Sequence, residues 1–271
     1  MELNFKEKQF FEYMKSLTDK KVVVAFSGGV DSSLVLKTAI DVSSAKDVYA
    51  ITFDTVLSPK NDIDITKKLA EDFGVRLEVV QTNEIEDEKI LYNDKQRCYY
   101  CKKNLFENAI KLKEKLGFGY VLDGSNADDA NVYRPGRKAL KELGIISPLE
   151  KTGMSKNEVR QLAKKLGIKV HNRPSSPCLM TRFPYNKKVD ISIFPKIDEV
   201  ENYLKSLGFD NNRVRLYGDV TRIEVDVDKF PLFFEKRLEI IKKFKETGFV
   251  YVNLDIEGFR SGSMDIVIDK D

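Results

Sequence analysis

Lys21-Val22-Val23-Val24-Ala25-Phe26 is a β-branched apolar run, short enough to be a buried parallel strand, and it ends directly in Ser27-Gly28-Gly29-Val30-Asp31-Ser32-Ser33. A helical pattern opens near Asp31 and continues through Leu34, Val35, Leu36 and Ile40. Strand, glycine turn and helix in that order make an anion cradle. The glycines permit a close approach that a Cβ would block, and the amides of the turn and helix start aim N–H groups at a phosphate. Ser27, Ser32 and Ser33 add hydroxyl donors. Asp31 repels a bare phosphate, so its presence points to a Mg²⁺ ion bridging carboxylate and ligand. The segment lacks the closing Gly-Lys-Ser/Thr of a Walker A loop and the Gly-x-Gly-x-x-Gly spacing of a dinucleotide fingerprint. An ordinary strand-turn-helix corner is the bland alternative, and two adjacent glycines alone do not decide against it.

The same alternation recurs down the chain. An amphipathic helix is expected over 5–17, strands over 48–53, 75–80 and 120–123, and helices over 62–73 and 102–116. A polar, acidic loop is expected over 83–94, and Ile145-Ile146 reads as a short strand or turn. Ser155 with Glu158 three positions later is a capping box that opens a further helix. Repeated βα units predict an α/β fold with a parallel sheet covered on both faces. The pattern breaks at His171-Asn172-Arg173-Pro174-Ser175-Ser176-Pro177-Cys178. Beyond it come a helix over 197–207, a hairpin of 213–217 with 221–227, a helix over 230–247, and strands over 249–254 and 264–268. We therefore expect two domains, 1–184 and a small α+β domain over 185–271.

Composition narrows the class. With 271 residues and 42% hydrophobic content the chain can bury a sizeable core without disulfide staples. The net charge of +3 lacks the excess of a dedicated nucleic-acid binder, so no nucleic-acid partner is expected. No apolar run approaches the ~18 residues of a membrane span, and the charged start at Met1-Glu2-Leu3-Asn4-Phe5 lacks a signal-peptide stretch, so a cytoplasmic location and no membrane are expected.

Three cysteines need individual explanation. Cys98 and Cys101 form a Cys-x-x-Cys, and Cys178 sits in the proline-rich break. Cys178 alone could be a small buried hydrophobe, and the pair could be a redox dithiol. The three could hold zinc, with His171 or a carboxylate as fourth ligand. They could equally hold a [4Fe–4S] cluster with one iron open to a non-protein ligand, the thiolates offset by Arg97, Lys102, Lys103 and Arg182. Composition does not choose between the metals.

The string Ser27–Ser33 resembles the pyrophosphate-binding loop (PP-loop) of the ATP pyrophosphatases, a class that includes GMP synthetase, NAD synthetase and several sulfur-inserting enzymes. The resemblance implies cleavage of ATP between its α and β phosphates, with Ala25, Phe26 and the 48–54 strand end flanking the adenosine. It extends over nearly the whole chain through Gly124-Ser125-Asn126-Ala127-Asp128-Asp129, Tyr133-Arg134-Pro135-Gly136, Ser147-Pro148-Leu149, Ser155-Lys156-Asn157-Glu158, Pro177–Tyr185, Arg213-Val214-Arg215, Arg222-Ile223-Glu224 and Glu257-Gly258-Phe259-Arg260-Ser261-Gly262. Together these are similar to the ATP-dependent sulfurtransferase family that builds the nickel-pincer nucleotide cofactor of lactate racemase.

That resemblance implies adenylation of a carboxylate of pyridinium-3,5-biscarboxylic acid mononucleotide by ATP and Mg²⁺, then displacement of AMP by sulfur. It implies a metal-binding Asp31, with Asn126 and Asp128 near the nucleotide or metal. Members with a single cysteine at the Cys178 position give up its sulfur; Cys98 and Cys101 are instead similar to the subgroup holding a [4Fe–4S] cluster that carries hydrosulfide from sulfide or another sulfur donor. Arg213, Arg215 and Arg260 match substrate-binding arginines, Arg182 is expected near the acyl-adenylate, and Glu201 as a substrate or general-base contact. The second domain is expected to clamp substrate and to mediate homo-oligomer assembly. The competing expectations are a transfer-RNA thiolation enzyme on the same core and a zinc-stabilised protein that binds nucleotide without splitting it.

Overall fold

In a computed structural model, described for residues 3–131 and 134–268, the chain forms two compact units. The first takes the described residues up to Thr55, then Lys60–Ile90 and Gln96–Ser175; the second takes Val56–Pro59, Leu91–Lys95 and the chain from Ser176 onward. Tyr133 of the 133–136 motif lies outside the described residues.

The first unit runs α1 (Phe5–Thr18), β1 (Val22–Ala25), α2 (Val30–Val42), β2 (Val48–Asp54), α3 (Asn61–Asp72), β3 (Arg76–Gln81), α4 (Glu88–Leu91), α5 (Arg97–Leu116), β4 (Tyr120–Leu122), α6 (Gly136–Glu142), α7 (Pro148–Lys151) and α8 (Lys156–Lys165). Its four strands are all parallel, in the order β3-β2-β1-β4. Strand β1 is buried on both faces. Val22 and Val24 join Phe10 and Met14 of α1, Leu34 and Val35 of α2 and Leu162 of α8. Val23 joins Phe106 and Ala109 of α5 and Leu140 of α6 on the opposite face. Such a strand reads as a continuous apolar run because neither face meets water. The winding goes from β1 to β2 to β3 on one side and resumes at β4 on the other. The switch point between β1 and β4 is where open α/β sheets open a crevice beyond their strand ends.

The second unit holds α9 (Phe194–Ser206), β5 (Asn212–Tyr217), β6 (Val220–Val225), α10 (Phe230–Glu235), α11 (Arg237–Glu246) and β7 (Tyr251–Leu254). Strands β5 and β6 form the expected antiparallel hairpin, and β7 adds to β6 in parallel. Two excursions are stitched into this unit. Buried Asn93 donates from Nδ2 to the carbonyls of Met180, Phe183 and Pro184 at 3.3, 3.0 and 2.9 Å, and Leu179 N–H donates to Leu57 O at 2.7 Å.

Several expected elements are corrected. Helix α5 begins at Arg97, not 102, so both residues of the Cys-x-x-Cys lie in its first turns. The 83–94 stretch is not all loop: a 3₁₀ turn at Glu84–Glu86 and α4 form there, anchored by buried Ile90. The 230–247 helix is two, because Lys236 leaves helical geometry and its N–H caps α10 at Leu232 O and Phe234 O. The expected strand at 264–268 is a 3₁₀ turn, Asp265–Val267. There Ile266 and Val267 are both exposed, so no alternating face exists, and Asp265 is held by the Tyr185 hydroxyl at 2.6 Å. Ile146 makes a single parallel bridge to Leu122. Among the described residues no helix is long and apolar enough to cross a membrane.

Candidate active site

The glycine turn lies directly past the carboxyl end of β1. Gly28 has φ +67°, and a Cβ there would meet Thr66 Oγ1 at 2.6 Å and the Thr66 backbone at 3.3 Å, so the position demands glycine. Helix α2 starts at Val30, and its N-cap Gly29 supplies no side-chain cap for the first-turn N–H groups. Ser32 folds back: its hydroxyl accepts the Ser27 N–H and approaches the Ser27 hydroxyl, both at 3.2 Å. Ser27 is exposed at the turn, whereas Ser33 is fully buried, its hydroxyl without a hydrogen-bond partner. Phe26 is also buried, its ring tilted against Phe73 at 6.4 Å, which leaves its backbone and that of Ala25 to line the strand end.

Across the switch point, β4 ends in Asp123-Gly124-Ser125-Asn126. A Cβ on Gly124 would stand 2.7 Å from Ser32 N, so this glycine lets the start of α2 press against the second strand end. Asn126 Nδ2 donates to Asp31 Oδ1 at 3.0 Å, and Asn126 Oδ1 accepts the Asp128 N–H at 3.0 Å. The ammonium of Lys156 bonds the other oxygen of Asp31, and the Lys156 N–H donates to Asp128 Oδ2 at 2.9 Å. Asp31 and, 95 residues further on, Asn126 with Asp128, all named from the sequence, are thus one hydrogen-bonded group.

Three residues that support the glycine turn and Asp31 were missed. Lys156 is the first residue of α8, opened by the expected capping box: Ser155 Oγ accepts the Glu158 N–H and Glu158 accepts the Ser155 N–H. A cation at a helix N-terminus opposes the helix dipole, and that misfit was the available signal that Lys156 serves a carboxylate. Arg173 donates to the Gly28 carbonyl at 3.1 Å and to Asp62 at 2.6 Å, tying the glycine turn to α3. Arg160 of α8 holds that arginine's own segment through the carbonyls of His171 and Arg173, both at 3.1 Å.

A Mg²⁺ ion carried by a triphosphate needs only one or two protein carboxylates besides phosphate and water. Asp31 at an uncapped helix start fits that demand. The cysteines are placed differently. None is in a disulfide. Cys98 and Cys101 stand at i and i+3 on the first turns of α5, one helical face; Gly136 of α6 packs against this start, its would-be Cβ 3.1 Å from Cys98 O. Cys178 belongs to the second unit, where it begins the 3₁₀ turn Leu179–Arg182. His171 bonds the Ile168 carbonyl at 3.0 Å through Nδ1. Among the described residues no three His, Cys, Asp or Glu side chains are gathered to hold a metal ion, so these residues as placed do not complete a cluster or zinc site.

The second unit buries a charged network. Arg182 is buried and meets Glu201 through Nε–Oε1 at 2.9 Å and Nη2–Oε2 at 2.8 Å; its Nη1 donates to Pro177 O at 2.9 Å and Cys178 O at 3.3 Å. Burial pushes the Glu201 carboxyl up, but Arg182, Arg213 and the Val214 N–H at 2.9 Å bring it below its ordinary value. Arg215 makes a second bidentate pair with Glu224 at 3.2 and 3.0 Å, and its Nη1 donates to Thr181 O at 2.8 Å. Arg213 lies over the Phe259 ring at 5.3 Å. Burial, then the like charge of Arg182, lowers its pKa to about 10. Arg213 and Arg215 do share a face of β5, as their spacing predicts. Arg260, partly exposed, bonds Asp255 at 3.2 Å and Glu257 at 2.7 Å.

Comparison with known proteins agrees with this geometry. The NAD synthase family model matches residues 3–118. The pyridinium-3,5-bisthiocarboxylic acid mononucleotide synthase of Lactiplantibacillus plantarum is 36% identical over 93% of this chain and 91% of its own length. The chain belongs to that synthase's family, within the PP-loop ATP pyrophosphatases. An uncharacterized protein of Synechocystis sp. is 37% identical over 92% of this chain and 94% of its own, and one of Methanocaldococcus jannaschii is 35% identical over 90% and 92%. The chain is thus an ATP-dependent enzyme of the PP-loop adenylating and sulfurtransferase class.

Proposed function

We propose that the protein converts pyridinium-3,5-biscarboxylic acid mononucleotide to a thiocarboxylate. A substrate carboxylate oxygen attacks the α-phosphorus of Mg·ATP, the α–β bridge breaks, and pyrophosphate leaves an acyl-adenylate. Hydrosulfide then adds to the acyl carbon, AMP departs with its oxygen, and the thioacid releases a proton. AMP makes a feasible leaving group where oxide does not. The observation that carries the proposal is the group Asp31, Asn126 and Lys156 around an uncapped helix start, joined to kinship with a synthase of this product class.

Each residue's part follows from its surroundings. The turn Ser27–Ser33 and its amides bind the β and γ phosphates, Asp31 takes the Mg²⁺, and Asn126 with Asp128 fixes Asp31. Ala25 and Phe26 line the adenosine by their backbone. In the second unit three buried guanidiniums, Arg182, Arg213 and Arg215, face two buried carboxylates, Glu201 and Glu224. Burial and the like charge of Arg182 hold the Arg213 pKa down, and its planar guanidinium suits a substrate phosphate or carboxylate. Arg260 reaches solvent and can meet the incoming anion, whereas Arg215 and Glu201 brace Glu224 and Arg182.

The proposal extends to the sulfur source: as the resemblance in sequence implies, Cys98, Cys101 and Cys178 would hold a [4Fe–4S] cluster, which would supply an iron open to sulfide. It is supported by the helical i, i+3 placement of the first two thiols and by the resemblance in sequence. The test is anaerobic incubation with ATP, Mg²⁺, sulfide and the pyridinium substrate, followed by mass measurement of product and polypeptide and by iron analysis. A product heavier by one oxygen-to-sulfur exchange supports the proposed function. An iron-containing protein whose mass is unchanged supports the cluster, and loss of H₂S from the polypeptide points instead to sacrifice of Cys178.

A further inference from the structure

Asn93 is fully buried and stands at φ +54°, in the left-handed region that asparagine tolerates. It lies on the Leu91–Lys95 excursion of the second unit, five residues before Cys98. Its amide nitrogen donates to the carbonyls of Met180, Phe183 and Pro184, and its own backbone carbonyl accepts the Asn186 N–H at 3.1 Å. Oδ1 is buried and accepts no hydrogen bond among the described residues. Turning the amide over would set that oxygen against the same carbonyl oxygens, so the side chain is held as a donor. A buried acceptor left unpaired is destabilising, and the fold tolerates this one to keep N–H groups on a single short segment.

That segment is the turn carrying Cys178. The Cys178 carbonyl accepts the Thr181 N–H at 3.0 Å and the Thr181 hydroxyl at 2.8 Å. Arg182 reaches the carbonyls of Pro177 and Cys178, and Arg215 that of Thr181. Two kinds of donor from outside the turn's backbone therefore hold it. The guanidiniums are charged, and the phosphate and carboxylates of an acceptor substrate compete for them. Asn93 is neutral and shut off from solvent, so an arriving anion has nothing to draw it away. Its hold on the turn persists whether or not the arginines turn to substrate.

We propose that Asn93 is a positioning residue for sulfur transfer: it fixes the turn bearing Cys178 for the second step, independently of the arginines, and takes no part in adenylation. This rests on the proposed conversion of carboxylate to thiocarboxylate. Adenylation is assigned to the glycine turn, which belongs to the first unit, whereas Asn93 and the Cys178 turn belong to the second.

The test measures pyrophosphate and thiocarboxylate together, in anaerobic reactions of the full chain with ATP, Mg²⁺, sulfide and the pyridinium biscarboxylate. The variants are Asn93→Gly, which keeps the backbone unstrained and removes the side-chain donors, and Asn93→Ser, which leaves one. Thermal melting establishes that each is folded. For Asn93→Gly we expect pyrophosphate release within about twofold of the parent, and thiocarboxylate formed per pyrophosphate lowered about tenfold or more. The acyl-adenylate then goes to water, which returns the carboxylate and AMP. Asn93→Ser should fall between. Both products come from folded molecules alone, so partial unfolding lowers them together and leaves their ratio unmoved; where Asn93→Gly does not fold, the ratio for Asn93→Ser decides. A ratio equal to the parent's overturns the assignment, as does pyrophosphate release that falls in step with thiocarboxylate. If the parent couples the two products and the variants do so equally, only the role of Asn93 falls; if the parent releases no pyrophosphate with the acceptor, the proposed function falls too.

Discussion

Arg182 and Glu201 face each other through two parallel hydrogen bonds of 2.9 and 2.8 Å, with side chains 2% and 4% exposed. Removing one partner of a buried ion pair leaves the other charge uncompensated, at a cost of about 3–5 kcal/mol. Glu201→Ala and Arg182→Ala should each lower the unfolding free energy read from urea titration by an amount of that order. The double variant Arg182→Met, Glu201→Leu should recover much of the loss. A double variant as unstable as the sum of the singles would show that the pair is not the unit.

Gly28 is held at φ +67° against Thr66. Gly28→Ala should cost at least about 1.4 kcal/mol of ATP binding, a tenfold loss of affinity, because the turn must shift away from the phosphates. Titration with ATP in the absence of the acceptor substrate checks this. Unchanged affinity would remove the turn from the phosphate site.

Arg173 ties the Gly28 carbonyl to Asp62. Arg173→Met should weaken ATP binding by about 1–2 kcal/mol, the worth of a partly exposed charge-assisted bond, while acceptor binding stays level. Comparing the KM values for ATP and acceptor separates this positioning role from general damage.

The Glu158 carboxyl is held down from 4.5 to about 2 by hydrogen bonds from Lys6 and from the Ser155 backbone. A depressed folded pKa contributes stability that is complete above about pH 4.5 and lost as pH falls toward 2. Between those values the urea midpoint of Glu158→Gln should depend less steeply on pH than the parent's. Parallel slopes across the window would place the titration elsewhere.

Cys98→Ala should abolish iron binding and catalytic sulfur transfer yet leave adenylation in place, since α5 and the glycine turn are separate elements. Iron content and product mass, measured beside pyrophosphate release, distinguish the steps. Catalytic sulfur transfer at the parental rate would exclude the cluster.

What was legible in the sequence is what is local. The apolar run into Ser27–Ser33 signals strand, turn and helix within a dozen residues, and the Ser155–Glu158 capping box marks its helix start, as found. What was not legible joins distant positions: Lys156 is 125 residues from Asp31, and Arg173 is 145 from Gly28. Arg213 and Arg215 could be put on one strand face from parity, but parity says nothing of Glu224 opposite or of Glu201 closing on Arg182. The break at Lys236 escaped because Phe233, Ile240 and Phe244 keep helical spacing across it. The turn at Asp265–Val267 escaped because β-branched residues also sit on exposed turns.

The central claim is that ATP is cut between its α and β phosphates at the turn following β1, and only to activate a carboxylate. Phosphorus NMR of the products formed from ATP and Mg²⁺, with and without the pyridinium biscarboxylate, measures this directly. The account predicts AMP and pyrophosphate in step with acceptor consumption, and neither with Asp31→Asn. ADP and inorganic phosphate, or AMP release indifferent to the acceptor, would contradict it.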